Sequence, residues 1–211
     1  MPSGSTLAVF ALASFLLIVV PGPAVLYVVT RSIAQGRRAG LVSMLGIEAG
    51  GLVHVAAAAI GLSAVIVSSA TAFTAVKLAG AAYLIYLGVR RLVARDEALP
   101  EVAVGARSGK RLFAQGVVVN VLNPKTAVFF LAFLPQFVDP ARGAVTLQFV
   151  VLGMTFVAVA MLSDGAYALV AGTAGDWLRG SERVRRWLSR CSGAVFVGLG
   201  VTAALSGRPN D

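Results

Sequence analysis

The chain has 211 residues, 58% of them hydrophobic and 13% charged, with a mean hydropathy of +0.86. A soluble domain is close to half apolar and a quarter charged, so an ordinary water-soluble enzyme and a disordered chain are both excluded. The formal net charge of +9 sits in short clusters between long apolar runs, a membrane pattern and not a nucleic-acid-binding one.

A bilayer-spanning helix needs roughly 20 mostly apolar residues. Six runs meet that length, at about 6–30, 40–67, 70–93, 112–138, 145–173 and 187–205. The first follows Met1 to Ser5, which carry no Lys or Arg, and it is too long for the core of a cleavable signal peptide. It contains Pro21-Gly22-Pro23. Only a few small polar residues around Ser68, Ser69 and Thr71 separate the second run from the third. That spacing predicts a tight hairpin, because one continuous helix would be about 75 Å long. After the third run comes the only stretch of loop-like composition, Asp96 to Ser108. The fourth run contains Asn123-Pro124-Lys125, and the fifth contains Leu162-Ser163-Asp164-Gly165 with Tyr167 three residues beyond the acid. Cys191 and His54 are the single cysteine and histidine, so an intrachain disulfide, a thiol relay and a soft-metal site are not expected. No cofactor is expected either.

Fourteen of the eighteen basic residues lie in the first, third and fifth linkers, Arg31, Arg37 and Arg38 among them. The positive-inside bias puts those linkers in the cytoplasm and both termini outside. The arginine clusters then also face anionic headgroups. The fold expected is all-α and integral to the membrane, a single domain over 1–211 with six transmembrane helices. A cytoplasmic linker at about 94–111 divides it into halves at about 1–95 and 110–211. Each half has three spans, so the second enters from the opposite side, which makes two inverted three-helix repeats.

The first helix of each half carries a break, at Pro21-Gly22-Pro23 and at Asn123-Pro124-Lys125. Pro21 and Pro23 deprive the carbonyls of Leu17 and Val19 of their donors, and Pro124 does the same to Asn120. In hydrocarbon such carbonyls must face protein or a wet cavity. Freed carbonyls accept from an ammonium and half-helix N-termini attract a carboxylate, so Pro21, Gly22, Pro23, Asn120, Asn123, Pro124 and Lys125 are the candidate substrate-binding residues. A lone proline is also tolerated as a plain kink; the matched pair points to a site.

Four ionisable side chains fall inside apolar runs: Glu48, Lys77, Lys125 and Asp164. Each costs about 2.5–3.5 kcal/mol at the bilayer centre on insertion scales. Lys125 lies near the midpoint of its run, too deep to snorkel easily. Asp164, Glu48 and Lys77 are candidates for proton or ion coupling, against the plainer reading that acids and bases simply pair. A desolvated carboxylate such as Asp164 can carry a proton. Glu48 lies in Gly46-Ile47-Glu48-Ala49-Gly50, a small-xxx-small motif that lets helices approach closely. His54 points away from Glu48 on a helix and reads as a satisfied polar residue. Asn120 and Asn123, a turn apart, fit either a shared cavity or interhelical hydrogen bonds. His54 and Ser63 lie on opposite sides of one helix, which excludes a serine-protease pair. No phosphate-binding loop and no potassium-filter sequence is present.

The chain resembles the lysine-exporter (LysE) superfamily in its homoserine/threonine-resistance (RhtB-like) branch. The resemblance rests on Val20-Pro21-Gly22-Pro23, Gly36-Arg37-Arg38-Ala39-Gly40-Leu41, and Lys77 to Gly88. It continues with Asn120, Asn123-Pro124-Lys125, Leu134-Pro135-Gln136-Phe137, Ser163-Asp164 and Tyr167. It implies a multi-pass protein of the bacterial cytoplasmic (inner) membrane that exports amino acids or their derivatives as a proton antiporter. The partners it implies are an amino acid, protons and the lipid bilayer, with no nucleic acid; a homodimer is left open. It carries over to Pro21, Gly22, Pro23, Lys77, Asn120, Asn123, Pro124, Lys125 and Asp164. Glu48 rests on the membrane-charge argument alone. The competing readings are an inorganic-cation exporter and a membrane scaffold with no flux.

Overall fold

The structure is a computed structural model that describes residues 1–64 and 108–173, with isolated positions between 71 and 89 and between 197 and 201. The hairpin around Ser68, Lys77, the central linker and the arginines beyond Arg142 lie outside the described residues.

Ser3 starts the first helix, α1 (Gly4–Val19), by accepting the Thr6 N–H on its hydroxyl at 3.1 Å. The helix stops where the prolines begin. Val20 turns extended, and α2 (Pro23–Gln35) restarts with Pro23 at its first position, where a missing N–H costs nothing. The axes of α1 and α2 differ by 55°. The single residue Gly36, at φ +82°, joins α2 to α3 (Arg37–Ala57). Only glycine takes that conformation without strain, and it makes the corner tight. A π turn at Ala58–Leu62 continues α3.

A second broken helix follows. α4 (Gly109–Val121) ends at Leu122, and α5 (Pro124–Val128) starts after its cap Asn123 with Pro124 in first position. The Asn123 side chain accepts the Lys125 backbone N–H at 3.1 Å. α5 runs on through a π turn (Phe129–Phe133) and a 3₁₀ turn (Leu134–Phe137), and it is bent by 45° from α4. After a short turn pinned by the buried Gln148, α6 (Val145–Ala171) is continuous.

Among the described residues the protein is all helix. Arg37–Leu62 and Val145–Ala171, of 26 and 27 residues, are each long and apolar enough to cross a bilayer. Each of the two bent pairs reaches that length as a unit. These four segments correspond to the first, second, fourth and fifth apolar runs.

α3 packs most extensively against α4, and α6 packs on α3, α1 and α2. Glycine permits the first contact. A Cβ on Gly46 would fall on the Phe113 carbonyl, one on Gly50 would lie 2.7 Å from the Val117 carbonyl, and one on Gly116 would lie 2.6 Å from the Ser43 carbonyl. The small-xxx-small motif thus brings two backbones together, as expected. On the other side of the molecule the rings of Phe10, Phe129, Phe130, Phe133 and Phe156 meet with centroids 5.0–6.3 Å apart.

The expectation for Arg31 is corrected. It does not sit in a linker facing headgroups but inside α2, only 1% exposed, with its guanidinium 5.7 Å from the centre of the Tyr27 ring. The α2 helix simply runs five residues past the apolar stretch, and the linker shrinks to Gly36.

Candidate functional site

Two of the carbonyls orphaned by proline, and a third beside one of them, are engaged by side chains from elsewhere in the chain. The Val19 carbonyl, whose helical donor would have been residue 23, accepts from the Tyr167 hydroxyl at 2.7 Å. Its neighbour, the Val20 carbonyl, accepts from Lys125 Nζ at 2.5 Å. The Asn120 carbonyl, orphaned by Pro124, lies 2.9 Å from His54 Nε2 and also accepts the Asn123 N–H at 3.0 Å. His54 is therefore a satisfied polar residue, and its ring lies 5.8 Å from that of Phe130. The breaks are held by donors of the protein itself.

Both breaks border one cavity. It is lined by Leu17, Ile18 and Gly22 from the first break and by Asn120, Asn123, Lys125 and Thr126 from the second. α3 contributes Ile47 and Glu48, and α6 contributes Phe156, Ala160 and Asp164. The polar residues share a frame. Asn120 Nδ2 donates to the Ile47 carbonyl at 2.7 Å, and its Oδ1 accepts from the Thr126 hydroxyl at 3.0 Å. Asn123 Nδ2 lies 3.5 Å from the same Oδ1. Both asparagines line the cavity, and Asn120 also bonds across to α3.

A Cβ on Gly22 would lie 3.0 Å from Lys125 Cδ, a tight contact that would push the lysine stem aside. The absence of a side chain lets the lysine stem pass the first break and reach Val20. Glu48 and Asp164 are 4% and 2% exposed, and Glu48 Oε1 and Asp164 Oδ1 have no hydrogen-bond partner among the described residues. Polar atoms that deep are normally satisfied, and both residues line the cavity, so their oxygens can accept from a donor placed in it.

The cavity measures about 30 Å³, room for about two waters and far below the roughly 300–1,000 Å³ of a small-molecule pocket. As it stands the space is too small for an amino acid. Of the residues expected at the site, Gly22, Asn120, Asn123, Lys125, Glu48 and Asp164 meet here. Pro21 is buried in the extended link, while Pro23 and Pro124 are exposed first residues of their helices, so none of the three lines the cavity. Lys77 lies outside the described residues. Thr126, His54 and Tyr167 are not among the site residues expected from sequence. Thr126 stands beside the break in sequence and Tyr167 one turn from Asp164, which are the signals that could have found them.

A family model described as "LysE type translocator" matches residues 15–207. The homoserine/homoserine lactone efflux protein of Salmonella typhimurium is 32% identical over 195 residues, covering 92% of this chain and 94% of its own. A membrane protein of Vibrio cholerae is 32% identical over 199 residues, covering 94% and 93%. The leucine efflux protein of Enterobacter is 24% identical over 198 residues, covering 92% and 93%. No solved structure matches. With nearly the whole chain matched, this protein belongs to the LysE type translocator family.

Proposed function

We propose that the protein exports amino acids or their derivatives across the bacterial cytoplasmic membrane by alternating access. The observation that carries this reading is the cavity between two broken helices, which brings Lys125 together with Glu48 and Asp164. An amino acid has a carboxylate and an ammonium, and this cavity offers a cation for the first and anions for the second. The similarity to proteins named for homoserine and leucine efflux supports the same cargo class. A cavity of about 30 Å³ admits such a cargo only after the walls separate, as alternating access requires.

In this reading the chain has six spans in two inverted three-helix repeats, with both termini outside. The matched breaks at Pro21–Pro23 and Asn123–Lys125 support it. The substrate carboxylate is held by Lys125, and its ammonium by Asp164 with Glu48. A proton exchanged at one of these carboxylates couples export to the proton gradient, and Lys77 is a further candidate for that coupling. An inorganic cation is the poorer cargo, because it brings no carboxylate for Lys125 to bind. A scaffold with no flux has no use for two buried carboxylates with unpartnered oxygens.

The test is counterflow in proteoliposomes with a panel of labelled amino acids and with labelled monovalent cations. Exchange of homoserine or another amino acid is expected. Exchange of cations alone, or none at all with correctly inserted protein, would contradict the reading.

A further inference from the structure

Two adjacent carbonyls at the first break are gripped from opposite sides. Lys125 reaches Val20 from within the cavity, which it lines. Tyr167 reaches Val19 from an outer apolar groove, which it lines together with Phe15, Val19, Leu162 and Val170. Neither Tyr167 nor Val19 lines the cavity. The two donors come from different elements, α5 and α6, and Tyr167 stands one turn beyond Asp164 on α6.

From this geometry we propose that Tyr167 is a positioning residue for export: it is the fixed pivot of the α1–α2 break, and Lys125 is the exchangeable latch. The inference rests on the export reading above. A substrate carboxylate entering the cavity competes with the Val20 carbonyl for Lys125 Nζ, because a charge-assisted bond outweighs one to a neutral carbonyl. It cannot reach the Tyr167 hydroxyl, which lies on the far side of the break. Loading the site therefore frees one of the two grips and leaves the other, so that α2 turns about Val19 instead of parting from α6. Pro21 and Pro23 have no N–H with which to form helical bonds across the link. The pivot also ties the hinge to the helix that carries Asp164, so one rigid element holds both the acid and the hinge point.

The experiment compares the wild type with Tyr167→Phe, each carrying Ala24→Cys on a Cys191→Ser background. Ala24 borders both the break and the cavity. Two readouts are taken: the thiol-labelling rate at position 24 without and with homoserine, and homoserine counterflow resolved into KM and maximal rate. Loss of the pivot raises basal labelling about 2- to 12-fold, the size expected for one lost hydrogen bond. It also abolishes the substrate-dependent change in labelling and lowers the maximal rate while KM changes less than about twofold. A side chain that only packs would leave basal labelling and its substrate response unchanged, and that result overturns the proposal. If Tyr167→Phe does not reach the membrane, 3-fluorotyrosine, of nearly the same size and a stronger hydroxyl donor, replaces Tyr167 and is measured by the same labelling. Lowered basal labelling then supports the pivot and unchanged labelling overturns it. The basal arm contains no substrate, so it reads the pivot even if homoserine counterflow fails in the wild type, which would sink the export reading instead.

Discussion

Lys125 Nζ donates to the Val20 carbonyl across 105 residues of sequence, joining the break in the first half to the break in the second. One side chain thus satisfies a carbonyl at the proline break and also presents a cation to the cavity. In the proposed function a substrate carboxylate competes with the Val20 carbonyl for that ammonium.

Lys125→Met tests it. The variant keeps the stem that runs past Gly22 but removes the donor. Leaving the Val20 carbonyl unpaired costs about 1–3 kcal/mol, so thermal unfolding in detergent shifts downward. Counterflow is expected to fall by at least about tenfold at equal membrane abundance, since the carboxylate partner is gone as well. Wild-type counterflow in this variant would remove Lys125 from the site.

Asn120 is the structural hub of the second break. Asn120→Ala strips the donor from the Ile47 carbonyl and the acceptor from the Thr126 hydroxyl, each bond buried. About 0.5–1.5 kcal/mol is lost with each of these bonds. Asn120→Asp keeps an acceptor for Thr126, loses the donor to Ile47, and adds a third carboxylate beside Glu48 and Asp164. Both variants are expected to melt lower than the wild type, and the aspartate lower still.

The α3–α4 contact predicts a sharp contrast among glycines. Gly46→Leu and Gly116→Leu drive a side chain into a facing backbone that cannot yield, and both are expected to fail membrane assembly. Gly61→Ala meets nothing within 4 Å and is expected to be neutral or slightly stabilising, because alanine favours helix over glycine by about 1 kcal/mol. Detergent-extracted monodisperse yield by size exclusion distinguishes the two outcomes.

Asp164→Asn separates binding from coupling. The amide still accepts a hydrogen bond from an ammonium but cannot carry a proton. Homoserine counterflow, which needs no driving force, is expected to persist at reduced rate. Efflux against a homoserine gradient, driven in the wild type by acidifying the outer side, is expected to vanish. Equal acceleration by external acid in both proteins would take the proton away from Asp164.

Much of this arrangement is legible from residues alone, for identifiable reasons. Proline acts locally, so Pro21, Pro23 and Pro124 declare both helix breaks and name Val19 and Asn120 as carbonyls set free. Charge inside an apolar run is equally local, so Glu48, Lys125 and Asp164 stand out before any geometry is known. The identity of the donors is another matter. Tyr167 and His54 reach their carbonyls over 148 and 66 residues, and no local rule encodes such pairings. Counting charges near the end of an apolar run misplaces Arg31, because it does not reveal how far the helix continues past that run. Pro23 and Pro124 are expected in the lining, yet each is exposed at the first position of its helix and faces away from the space that the helix helps to enclose.

Passage of cargo through the cavity between the two breaks is tested most directly by substrate protection of a single cysteine. Ala160 faces that cavity, whereas Leu162, two residues on, is 77% exposed on the outer groove. On a Cys191→Ser background, homoserine is expected to slow thiol labelling of Ala160→Cys in a saturable way and to leave Leu162→Cys unaffected. Equal labelling of Ala160→Cys with and without homoserine, in a protein that still exchanges homoserine, would contradict a route through this cavity.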